Sequence, residues 1–246
     1  MIDTFSIILY LVFATSFILV WGKMLWYLDE RSNALRSWVL LIMSFVGSDM
    51  QAVKTVLLSV LYYTCGLIGC VIFALFFTIN FSVFFSFSWQ SLALTLIGII
   101  AEVSLANLLI SLYLAFARNK SPERFKELSS IPWIAGLKNV PSSITVLLAA
   151  SAGAVEELFF RGILLYVMLY NFLLTPILAV VIVTLLFLAQ QLIQLKTVFQ
   201  CIVIASGCIS ISIVGGLLLI YTQSIIPAII CHVFFVVFFM RNSAAE

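Results

Sequence analysis

Ala154-Val155-Glu156-Glu157-Leu158-Phe159-Phe160-Arg161-Gly162 stands in the middle of an apolar stretch, Ile144 to Phe172. The stretch is longer than the ~20 apolar residues that carry a helix across a bilayer. Its two acids and one arginine are therefore at membrane depth, where each is expensive by a few kcal/mol on insertion scales. A chain carries such groups where a polar cavity or a reacting site needs them. The same acids also fit a buried ion network that fixes helix packing, or the polar lining of a transporter.

Working outward, the rest of the chain is of the same kind. Apolar residues make up 64% of the 246 residues and charged ones 9%, against roughly a quarter charged in a soluble domain. The runs are continuously apolar rather than alternating, which selects helices over a transmembrane barrel. The expected fold is an all-α polytopic bundle of seven spans, or eight if a short piece at 38–54 also crosses.

The first run, Phe5 to Trp21, follows Asp3 rather than basic residues and has no Ala-x-Ala cleavage site, so it reads as a retained helix. Lys23 to Lys54 is mixed, and its apolar middle, Trp38 to Val46, is too short to span and reads as interfacial. Further spans are expected at Val56 to Ile79, Ser91 to Phe116, Ser142 to about Tyr170, Pro176 to about Gln194, Val198 to Ile220 and Ile226 to Met240. Asn80 to Gln90 is an aromatic connection, and Arg118 to Lys138 a polar loop broken by Pro122 and Pro132, with Pro141 after it. Ser142 or Ser143 is the expected N-cap of the fourth span. The chain divides into 1–141, N-terminal spans with an interfacial segment and a polar loop, and 142–246, the segment that carries the chemistry.

With seven spans, every Lys and Arg except Arg161 falls on one side. The positive-inside rule then puts the N-terminus out and the C-terminus in. The host is a bacterial inner membrane or an organelle membrane. No basic stripe with interleaved aromatics appears, so nucleic acid is not an expected partner. The cysteines, Cys65, Cys70, Cys201, Cys208 and Cys231, lie in apolar runs and read as packing residues rather than a disulfide framework. His232 is the only histidine, and neither HExxH nor a Cys-x-x-Cys pair occurs. A zinc site of two or three histidines and bis-histidine haem are thereby excluded, and neither metal nor cofactor is expected.

On a helix, Glu157 and Arg161 share a face four residues apart, with the acid N-terminal to the base as such pairs prefer. The arginine can hold that carboxylate. Glu156 lies about 100° around the helix and has no cation on its own helix. A buried acid so placed is suited to take and give a proton near neutral pH. Glu156 is thus the candidate base, with Glu157 and Arg161 in support. Glu102 is a second intramembrane acid without a cation on its span, placed to approach Arg161 or to accept a bond from a neighbouring helix. Gln190, Gln191 and Gln194 put amides at one end of the fifth span, where they line a wet cavity or mark the interface. Phe159 and Phe160 read as lipid- or core-facing bulk.

Three ordered segments carry a resemblance. Glu156-Glu157-x-x-x-Arg161 resembles the first motif of the CAAX protease and bacteriocin-processing family of intramembrane endopeptidases. Gly216 to His232, with Thr222, Gln223, Ser224 and Pro227, resembles the segment ending in that family's third-motif histidine. Phe187-Leu188-Ala189-Gln190-Gln191 aligns with its second motif, Phe-x-x-x-His. The resemblance spans about Ser142 to Met240. It implies a water activated by the first glutamate and the second-motif histidine, with the third-motif histidine and an asparagine holding the oxyanion. Carried over, Glu156 keeps the base role, Glu157 and Arg161 the support role, and His232 a polar role. Gln191 stands where the family has histidine, and Val236 where it has asparagine. Losing an oxyanion donor lowers a rate by about 10²–10³, and losing an acid–base partner by about 10²–10⁴.

Two readings follow. One is an endopeptidase acting on a membrane-bound peptide or protein. The other is an inactive relative that serves as scaffold, immunity factor or subunit among stable membrane-protein partners. A transporter ranks behind both, because the inverted repeats common in such proteins are absent from the sequence.

Overall fold

The computed structural model describes residues 4–46, 49–77, 79, 84–86, 88–117, 127–138 and 140–244. Among them every regular element is helical. Residues 80–83 and 87 of the 80–90 connection, and residues 118–126 of the polar loop with Pro122, lie outside the described residues.

α1 is Thr4–Arg31, running ten residues past the end of the apolar run that announced it. Tyr10, Ala14, Ile18, Trp21, Gly22 and Leu25 form one buried stripe at helical spacing. The extra turns are held by ion pairs, Lys54 to Asp29 at 2.6 Å and Lys196 to Glu30 at 3.4 Å. α2 is Asn33–Val46, 14 residues, or about 21 Å at helical rise, which is short of the bilayer core. Its Leu35 and Val39 pack on Val53 of α3, Met50–Phe76. Asp49 accepts from the Gln51 and Ala52 amides, so α3 starts six residues before the expected Val56.

α4 is Trp89–Phe116, capped by Ser88. Pro132 does not break structure: it opens α5, Pro132–Leu137, at a first-turn position where no N–H is required. α6 runs from Ser142 to Asn171. The expected serine cap is corrected, because Ser142 is already helical and Pro141 holds the cap position without a side-chain bond. From Leu158 the helix winds in π fashion, over Leu158–Leu165 and again Val167–Asn171.

α7 is Pro176–Leu192, α8 Val198–Thr222 and α9 Ile226–Ala244. Thr197 and Gln200 cap α8 reciprocally, and Gln223 ends it in the left-handed region at φ 54°. Five helices, α1, α3, α4, α6 and α8, are long and apolar enough to cross a membrane. α7 and the apolar part of α9 are shorter.

α8 sits at the centre, packed on α4, α7 and α9. α9 in turn packs on α4 and α6, while α3 joins α1, α2, α5 and α6. One end of the bundle is polar. There the Asp29–Lys54 and Glu30–Lys196 pairs meet the start of α8, where Thr197 Oγ1 donates to Glu127 at 2.7 Å and Gln200 donates to the Glu127 carbonyl at 2.8 Å. Residues 29–30 and 54, 127 and 196–200, from three of the segments that charge bias assigned to one side, meet at this end. The five cysteines are free thiols.

Candidate active site

From Phe159 to Leu165 the π-wound part of α6 is encased on all sides. Phe159, Phe160, Arg161, Gly162, Ile163, Leu164 and Leu165 are consecutive and all buried. A helix that is apolar all round and buried all round belongs at the core. Phe159 and Phe160 are therefore core residues, 0% exposed, and not lipid-facing. π-winding frequently marks functional positions, and here it begins at the residue after the two acids.

Glu157, Arg161 and His232 form the sealed side of the site. Arg161 Nη1 lies 2.9 Å from Glu157 Oε1, an i,i+4 ion pair with both side chains 0% exposed. Its N–H is not aligned for a hydrogen bond to that oxygen. Arg161 Nη2 donates to Ser212 Oγ on α8 at 3.1 Å. The guanidinium also lies 5.1 Å from the Phe187 ring centroid on α7, within cation–π range. Gly215 makes this possible: a Cβ there would stand 3.2 Å from Glu157 Oε2 and 3.5 Å from Arg161 Nε.

His232 joins this pair to Glu156. Its Nδ1 is 2.8 Å from Glu157 Oε1. An ionised carboxylate only accepts, so Nδ1 carries the proton and donates. The other nitrogen, Nε2, then lies 3.5 Å from Glu156 Oε2. That is longer than a good hydrogen bond, so the two atoms stand side by side at the cavity.

Glu156 faces a cavity of about 250 Å³. Its Oε1 accepts from Gln191 Nε2 at 2.9 Å on α7 and from the Tyr62 hydroxyl on α3. Gln190 Nε2 also lines the cavity and has no hydrogen-bond partner among the described residues. Val236 lines the same wall without a donor to offer. The cavity reaches from Glu156 and His232 to Asp29, Gln51 and Trp133 at the polar end.

The residues singled out in the sequence converge: Glu156, Glu157, Arg161, Gln191 and His232 form one bonded cluster. Glu102 does not join it by hydrogen bond. It is 0% exposed, and neither carboxylate oxygen has a partner among the described residues. Its relation to Glu157 and Arg161 is electrostatic only. Gln194 lines the cavity beyond Gln191. Sequence reasoning missed Tyr62 and Ser212. A phenol in an apolar span is itself a signal, since a buried hydroxyl seeks a partner. Ser212 carried no comparable one. No group of three or more His, Cys, Asp or Glu that would hold a metal ion occurs among the described residues.

Residues 139–238 match the family model described as Type II CAAX prenyl endopeptidase Rce1-like. The matched segment is under half of the chain and contains all five clustered motif residues. It agrees with the resemblance read from the three ordered segments. Neither the curated proteins nor the solved structures give a match.

Proposed function

We propose that the chain is a seven-span membrane protein whose cavity hydrolyses a peptide bond in a membrane-associated peptide, with Glu156 as base. The carrying observation is that Glu156 Oε2 and His232 Nε2 stand 3.5 Å apart at the deep end of one cavity, with His232 oriented from behind by Glu157.

A cavity water that donates to Glu156 Oε2 keeps a lone pair free to attack, with His232 Nε2 beside the acid to hold the imidazole side of the site. Glu156 takes one proton as the oxygen attacks the carbonyl carbon. The Gln190 side-chain amide turns to the developing oxyanion, in place of the asparagine that Val236 replaces, while Gln191 stays bonded to Glu156 Oε1. The C–N bond then breaks and Glu156 returns the proton to the leaving amine. Arg161 holds Glu157 in place through their ion pair, and Glu157 orients the histidine ring. The polar end with Lys54 and Lys196 faces the inside by the positive-inside rule, and so does the C-terminus. α7 and α9 complete the seven spans, and α2 lies at the interface.

The substitutions at Gln191 and Val236 favour a second reading, an inactive relative that serves as a membrane-complex subunit. Affinity purification of wild type and Glu156→Gln in mild detergent, followed by mass spectrometry, separates the two. Hydrolysis predicts an uncut membrane peptide trapped by the variant and fragments with the wild type. Identical stoichiometric partners with both proteins would leave only the subunit reading. In the hydrolytic case, Gln191→His with Val236→Asn raises cleavage of the trapped peptide by about 10²-fold, the worth of a restored donor.

A further inference from the structure

The C-terminal motifs do not account for what holds Glu156 in its orientation. A carboxylate turns about its last torsion with two-fold symmetry, so its oxygens exchange unless something distinguishes them. Here two donors, the Tyr62 hydroxyl and Gln191 Nε2, converge on Oε1. One carboxylate oxygen offers about two lone-pair sites, so Oε1 is filled. Oε2 is left to face His232 Nε2 across 3.5 Å.

We infer that Tyr62, contributed by α3 outside the motif-bearing segment, is a positioning residue that fixes which oxygen of Glu156 turns to His232 and the cavity. Its catalytic consequence rests on the hydrolytic reading above; its geometry does not. The hydroxyl is placed by a column of rings. Tyr62 lies 4.8 Å from Trp21 of α1, with ring planes tilted by 34°, and Trp21 meets the edge of Phe159 at 5.6 Å. Phe159 is three residues past Glu156 on the same helix, so the column sets the hydroxyl against the helix that carries the acid. Gly66, one turn along α3, lets the Trp21 ring approach: a Cβ there would stand 2.9 Å from Trp21 Cη2. Tyr63, the neighbour of Tyr62, lines the same cavity but makes no hydrogen bond to the acid. Its hydroxyl also bridges α3 to α6, but to the Leu148 carbonyl at 2.6 Å.

The test compares Tyr62→Phe with Tyr63→Phe in full-length protein in lipid nanodiscs. Infrared difference spectra assign the Glu156 carboxyl band as the one lost in Glu156→Gln. Tyr62→Phe is expected to shift that band, while Tyr63→Phe leaves it in place; both keep the rings and a cooperative melt. On the trapped peptide, Tyr62→Phe lowers kcat by about 10²-fold, the scale of a misplaced reacting group, with KM within about twofold. Tyr63→Phe retains wild-type turnover. An unmoved band in Tyr62→Phe, or equal shifts in both variants, overturns the inference. A shifted band in a protein that cleaves nothing supports the positioning contact and discards the hydrolytic reading alone.

Discussion

α6 and α8 are no more apolar as a pair than α1, α3 and α4, yet they lie far deeper. In their most apolar stretches α8 is 67% buried and α6 44%, against 28%, 17% and 22% for α1, α3 and α4. Mean hydropathy does not order them: α6 has 1.5 and α3 has 2.2. Lipid is as apolar as leucine, so hydrophobicity cannot choose which helix goes inside. Small and polar residues choose. α8 brings Ser206, Gly207, Ser210, Ser212, Gly215 and Gly216 to its buried face, and α6 brings Glu156, Glu157 and Arg161. The inner helices are those with polar groups to satisfy or small residues to interlock, and the outer ones reach inward at a few points.

The sharpest way to break this contrast is Arg161→Leu. It strips the partner from a carboxylate that is 0% exposed, and breaking such a buried pair destabilises by about 3–5 kcal/mol. Steric-trapping unfolding in bicelles reads this directly, and a change under 1 kcal/mol would mean that the pair does not hold the centre together. Gly66→Ala probes an inward point of an outer helix. The added methyl meets Val155 of α6 first and then the packed Trp21 ring, so overpacking of about 1–3 kcal/mol is expected by the same measurement. A silent result would show that α1 and α3 adjust freely around the site. Leu75→Ala, on the same helix and 81% exposed, is expected to stay within about 0.5 kcal/mol. A larger loss there would mean that α3 buries a second face.

The inner half was the legible half. Glu157 and Arg161 could be paired from helical spacing alone, because both sit on one helix and one face. The site's assembly by Gln191 and His232 was readable only through the order of the motifs. The bridge that His232 makes to both glutamates was not, since it depends on how α9 rotates against α6. Tyr62 stayed invisible for the same reason: it meets Glu156 across 94 residues of sequence, and no local period encodes such a meeting. The π-winding after Glu157 had no proline to announce it. Helix lengths were read short at α1 and α3, because polar end turns are held by Asp29–Lys54 and by the Asp49 cap. Hydropathy does not register either device.

The cavity occupies one half of the bundle's thickness. Its walls come from the first halves of α3 and α6, the first part of α8, the last halves of α1, α4 and α7 and the length of α9 from His232 to Phe239, with Gln51, Leu148, Val203, Asp29 and Ile110 among them. Among the described residues none of its lining lies on the far side of the Glu157–Arg161 pair. Glu156 lies at its deep end, so a molecule entering from the polar end would pass Asp29, Gln51 and Trp133 before it reached the acid.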